Sequence, residues 1–168
     1  MNFDNIINKQ TMNIFYLDTD PEKAAQSMYS KHVVKMILES AQLLCTAHIM
    51  LDGNDADVPY KMTHKNHPSA IWARESADNY AWLYFHMLAL GEEYTKRYGK
   101  KHLTITKCEG CLGNIPGGML NLGSTPMPQC MPDEYKVPGD SVAAYWNYYE
   151  AEKVKIRNSN EEIRTRPN

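Results

Sequence analysis

The stretch Ser30-Lys31-His32-Val33-Val34-Lys35-Met36-Ile37-Leu38-Glu39-Ser40-Ala41-Gln42-Leu43-Leu44-Cys45 decides the fold class. Val33, Val34, Ile37, Leu38, Ala41, Leu44 and Cys45 recur at helical spacing, and His48 carries the pattern on toward Met50. The same geometry stacks His32, Lys35, Glu39 and Gln42 into one polar stripe opposite those apolar residues. A helix of this kind is stabilised chiefly by burying its apolar face, so the chain reads as mostly α, a compact single-domain helical bundle.

Upstream, Asp20-Pro21-Glu22 is a helix entry. Asp20 can accept from free amides, Pro21 is tolerated in the first turn, and Glu22 suits the positive helix end. This first helix is expected to break near Ser30. Asn13-Ile14-Phe15-Tyr16-Leu17 reads as a short N-terminal strand, with the ordered domain starting near Met12. Downstream, Leu51 to Pro59 is an acidic turn-rich loop, and a long aromatic helix is expected from Pro68 or Ser69 to Tyr98. Gly99 stops that helix, and a kink or split is expected near Gly91. Cys108 to Gly139 is dense in Gly and Pro and is expected to be a long irregular segment. Asp140 and Ser141 then cap a final helix reaching about Ile156. These signals divide the chain into a flexible extension over 1–11, one helical domain over 12–156, and a polar tail over 157–168 expected to fray.

At 168 residues, with 43% hydrophobic and 23% charged residues, the composition is that of one globular domain rather than a disordered or fibrous chain. A net charge of −2 excludes a strongly basic DNA-coating protein. Residues 60–107 nevertheless hold eight Lys and Arg against four Asp and Glu, which leaves room for a local basic face. No uncharged apolar run approaches membrane-spanning length, and Met1 to Asn5 lacks the form of an export signal. The expectation is a cytoplasmic protein with no membrane partner. Four cysteines fit a reducing compartment and free thiols.

Two constellations carry chemistry. Glu39, with Lys35 four residues before it and His32 seven before it, is the best acid/base candidate. The bland alternative is a solvated face with one ion pair. His64, Lys65, His67, Trp72 and Arg74 gather imidazoles, cations and an indole around a helix start, a composition suited to phosphates and bases. Its alternative is a capped helix with a core indole. Cys108-Glu-Gly-Cys111 is one zinc half-site that Cys130 and His102 could complete, but a single pair is a weak signal and no metal or other cofactor is expected. Motifs for phosphate-loop NTPases, dinucleotide oxidoreductases, zincins and α/β-hydrolases are absent.

The order of several segments resembles a known family. Lys31 to Glu39, then His67-Pro68 opening an aromatic helix that closes in Tyr94-Thr95-Lys96-Arg97-Tyr98-Gly99, then Met131 to Lys136, then Tyr145-Trp146-Asn147-Tyr148-Tyr149, is similar to the phage pyrimidine-dimer DNA glycosylases of the endonuclease V type. The resemblance implies a compact helical protein, in the host cell's cytoplasm if phage-encoded, that flips a base, breaks one sugar–base bond and cleaves the abasic strand through a Schiff base. It implies that Glu39 stabilises the sugar cation and moves protons, with His32 at the matching interval. It places Tyr145, Trp146, Tyr148 and Tyr149 on a DNA-facing C-terminal segment, with core packing of the last helix as their alternative, and Lys35 and Gln42 join DNA or nucleotide binding from the helix stripe of Glu39. The family's nucleophile is an N-terminal amine, whereas here the domain begins at Met12-Asn13. Two readings therefore stand. One is a DNA-binding glycosylase and abasic-site lyase acting on damaged or modified pyrimidines, or a descendant of one. The other is a non-catalytic accessory protein that sequesters a nucleotide or blocks a host protein.

Overall fold

A computed structural model describes residues 12–168, so the extension expected over 1–11 lies outside the described residues. The Asp20 carboxylate accepts from the amides of Glu22 and Lys23 and starts α1 (Pro21–Gln26). The break expected near Ser30 is present, and α2 (Ser30–Asp52) follows. No side chain of its own first turn caps α2. Instead the tail expected to fray returns to do so: the Glu161 carboxylate accepts from the Ser30 amide at 3.0 Å and the Ser30 hydroxyl at 2.9 Å. The Arg164 amide also donates to the Tyr29 hydroxyl, and the Arg166 amide to Glu150. By length and composition α2 could cross a membrane, yet 67% of its apolar window is buried inside the molecule, as in a core helix.

The long aromatic helix is two helices, α3 (Pro68–Glu75) and α4 (Ala77–Tyr98). The break falls at Ser76 rather than near Gly91. Ser76 is extended, and its hydroxyl accepts from the Asn79 amide while Asn79 Nδ2 donates to the Trp72 carbonyl, closing the corner. Gly91 serves a different purpose: a Cβ there would lie 2.7 Å from Ile105 Cγ1, so glycine lets α5 (Leu103–Cys108) seat against α4. Gly99 ends α4 in the left-handed conformation, φ +75°. The last helix, α6 (Ser141–Glu152), is capped by Asp140 and runs into a 3₁₀ turn, Lys153–Ile156.

α2 and α4 form the central pair, with α1 against α4 and α3 across both. The short strand is not there: among the described residues none is in a strand. Asn13–Leu17 has no partner strand, and Phe15 turns it into the left-handed region at φ +58°. Asn13 Oδ1 accepts from the amides of Ile14 and Phe15, and the Leu17 amide closes back on the Phe15 carbonyl at 2.9 Å. The segment is nevertheless core, with Met12, Ile14, Phe15 and Leu17 buried.

The irregular segment after Cys108 is present as expected, broken only by short 3₁₀ turns. Helix side chains hold its backbone. Tyr80 donates to the Leu112 carbonyl, Asp52 accepts from the Gly117 amide, and Asn79 exchanges hydrogen bonds with Thr125. Three indoles do the same work: Trp146 donates to the Leu17 carbonyl at 2.7 Å, Trp82 to Thr19 at 2.7 Å, and Trp72 to Thr125 at 3.0 Å. Buried backbone carbonyls outside helices need such partners.

Candidate active site

The stripe on α2 does not face water as a unit. His32 and Glu39 are buried, 6% and 5% exposed, whereas Lys35 is exposed and Gln42 half-buried. Leu38, counted among the apolar residues, is the one turned outward, at 38%. The reason lies in Asn13–Leu17, which crosses the polar side of α2. Phe15 puts its ring 4.5 Å from the His32 imidazole, and Tyr149 lies 5.4 Å from the same imidazole.

Both Glu39 oxygens are buried and neither accepts a hydrogen bond. Lys35 Nζ stands 3.9 Å from Oε2, one turn earlier on the helix. Burial pushes the Glu39 carboxyl up to about 7, against the opposing pull of Lys35, the nearby Asn13 amide and Lys153. His32 goes the other way, down to about 3, because burial and the charges of Lys153 and Lys35 all disfavour the imidazolium. A carboxyl poised near neutrality therefore shares the covered side of α2 with a neutral imidazole two turns earlier, and a carboxyl so poised can both give and take protons.

Lys153, at the end of the last helix, reaches this place from the other side. Its Nζ lies 4.8 Å from the centre of the Tyr148 ring and 5.6 Å from that of Phe15, and the two rings are stacked at 6.1 Å. Asn13, Phe15 and Lys153 were not singled out in the sequence. Asn13 and Phe15 were hidden by the strand-like look of their segment, and Lys153 by standing 114 positions from Glu39. A cation immediately after an aromatic helix end is the one signal that pointed to it.

The remaining candidates divide. His67 accepts from the Ser69 amide and caps α3, whose start meets the site through Cys130: Ser69 touches the Cys130 thiol, and Asn13 Nδ2 donates to the Cys130 carbonyl. His64 and Lys65 are exposed beside that cap, with His64 in the left-handed region at φ +49°. Arg74 is half-buried. Trp72, Tyr145 and Tyr149 are core residues, and their polar atoms are spent on Thr125, on Pro128 and Cys130, and on the Tyr29 amide. In this arrangement they offer no face to a base. Tyr148, 6% exposed, is held between Phe15, Tyr135 and Lys153.

The zinc half-site does not assemble. Cys108 hydrogen-bonds with Cys45, while Cys130 lies beside Ser69 and the Tyr145 hydroxyl. His102 is occupied in capping α5. Among the described residues no group of three metal-binding side chains converges. His48 and His86 are buried, as their helical pattern suggests. A cleft of about 800 Å³ beside the tail, lined by Lys23, Trp146, Arg164 and Arg166 among others, includes neither His32 nor Glu39 in its walls.

The sequence model of a family described as pyrimidine dimer DNA glycosylase matches residues 12–106, a span that includes the Asn13–Leu17 segment and α1 to α4. No curated protein and no solved structure matches the chain.

Proposed function

This chain belongs to the pyrimidine dimer DNA glycosylase family, and from that premise we propose that it acts on DNA at damaged or modified pyrimidines, breaking the sugar–base bond and then the abasic strand. One observation carries the reading: Glu39 is a buried carboxyl with no hydrogen-bond partner on either oxygen, held near neutrality by burial against the pull of Lys35 and Lys153. A buried carboxyl left without hydrogen bonds costs the fold stability, and such sites are kept where chemistry uses them. In its neutral form Glu39 gives a proton to the departing base, and as carboxylate it stabilises the sugar cation and takes a proton during strand cleavage. His32 packs against this carboxyl's surroundings and, being neutral, adds no competing positive charge.

The exposed cations Lys35 and Lys65, together with His64 and the α3 start, supply phosphate contacts. Expected behaviour is cleavage of one sugar–base bond in duplex DNA carrying one pyrimidine dimer, the freed base staying joined to its dimer partner, read out as a strand break at that position. Glu39→Gln is expected to lower that rate by roughly 100-fold or more while leaving DNA affinity within a few-fold. Full activity in that variant removes Glu39 from the mechanism. DNA affinity that ignores salt would instead favour the non-catalytic reading, because phosphate contacts release counterions and steepen the salt dependence.

A further inference from the structure

We propose that the ε-amine of Lys153 is the nucleophile of this site, forming an imine with C1′ of the target deoxyribose. The inference rests on the glycosylase and lyase reading above. Lys153 Nζ is held against the faces of Tyr148 and Phe15, at 4.8 and 5.6 Å, and the Phe15 ring bridges it to His32 at 4.5 Å. The lysine is half-buried, so it borders the site and solvent together, and among the described residues it makes no ion pair. Two other nitrogens lie close to the Glu39 carboxyl: Lys35 Nζ, which is engaged with it as an ion pair at 3.9 Å, and the Asn13 backbone amide. The amide's lone pair is delocalised into the peptide bond with Met12, so it cannot add to a sugar carbon.

The surroundings also prepare the amine. Burial and the neighbouring Lys155 lower the Lys153 pKa, opposed by Glu152 and Glu39. Lys35, His32 and Tyr148 also face this place. Partial loss of water favours the neutral, nucleophilic amine, while the two ring faces hold the lysine in place.

The reaction balances with these groups. The neutral amine adds to C1′ as the sugar–base bond breaks, and the base leaves with that electron pair and takes the proton of Glu39. The new ammonium returns a proton to the Glu39 carboxylate. The nitrogen lone pair then forms the C=N bond as the C1′–O4′ bond breaks, and O4′ takes the proton back from Glu39, leaving a protonated imine. The Glu39 carboxylate removes a C2′ proton, and the C3′–O bond breaks with the phosphate as leaving group. Water hydrolyses the imine and frees the lysine.

The test is borohydride reduction of the full chain mixed with duplex DNA carrying either one abasic site or one pyrimidine dimer, followed by peptide mapping of the adduct. The expected adduct lies on Lys153. Lys153→Arg keeps the positive charge but cannot form an imine, and is expected to lower adduct yield roughly 100-fold while DNA affinity and melting temperature stay close to the parent's. Lys155→Arg is expected to leave the yield unchanged. An adduct mapped to any other amine, the chain's own amino end included, overturns the proposal, and mapping in the parent protein does so even where the arginine variant fails to fold. Sugar–base bond cleavage in dimer DNA with no adduct overturns Lys153 alone and leaves the glycosylase reading standing. Neither bond cleavage nor adduct overturns both.

Discussion

At Glu39 the requirements of stability and chemistry point in opposite directions. The carboxyl ionises near 4.5 in the unfolded chain and near 7 in the fold, so folding takes up a proton between those values. The stability tied to the neutral form is whole below about 4.5 and is lost as pH rises through about 7. Glu39→Gln removes the ionisation, so the variant is expected to exceed its parent in stability at pH 8 by up to about 3 kcal/mol and to equal it near pH 4. Urea denaturation of both proteins at the two pH values measures the difference. The same carboxyl shapes the rate: its loss of a proton is expected to put a bend in the parent's pH–rate profile near 7 that Glu39→Gln lacks. A parent profile with no bend near 7 would contradict that role. Glu39 was legible from its place on a helical stripe with Lys35 and His32. Its burial was not, because the covering segment is 22 to 26 residues away in sequence and looks like a strand.

Among the elements, α2 and the final helix were readable because their caps and apolar spacing agree. The α3–α4 corner was not, because two features competed: Gly91 is the conspicuous helix weakener, whereas Ser76 is an ordinary residue in a helical pattern. Tertiary contact resolves the competition. Gly91 stays helical because Ile105 occupies the space its side chain would need, and Ser76 breaks because Asn79 and Trp72 close the turn. Gly91→Ala should therefore destabilise despite alanine's higher helix propensity, by about 1–2 kcal/mol from overpacking against Ile105. Ile105→Val in the same chain should recover part of the loss, which calorimetry of the single and double variants would reveal. At the α2 start, Glu161→Ala strips acceptors from the Ser30 amide and hydroxyl and is expected to cost about 1–2 kcal/mol.

Over the whole molecule, helix content was legible and the routes of the non-helical chain were not, since periodicity says nothing about which carbonyl an indole or a tyrosine hydroxyl will find. Acid sensitivity is a property of this assembled interior. His32 and His86 titrate near 3 and 4 when folded and near 6.5 when unfolded, so the stability they confer while neutral is present above about 6.5 and lost as pH falls. His86→Gln retains a donor for the Pro21 carbonyl and is expected to lower the midpoint of acid unfolding. The three tryptophans give the molecule an optical use. Each indole is tied to a different stretch of non-helical backbone, at Leu17, Thr19 and Thr125, so three single-tryptophan variants would emit from three separate seams. Trp146 reports on the strand of chain that carries Phe15, and Trp72 on the glycine-rich segment. A red shift on mixing with DNA in the Trp146-only variant alone would locate the response at the Asn13–Leu17 segment that covers Glu39, one seam apart from the rest of the protein.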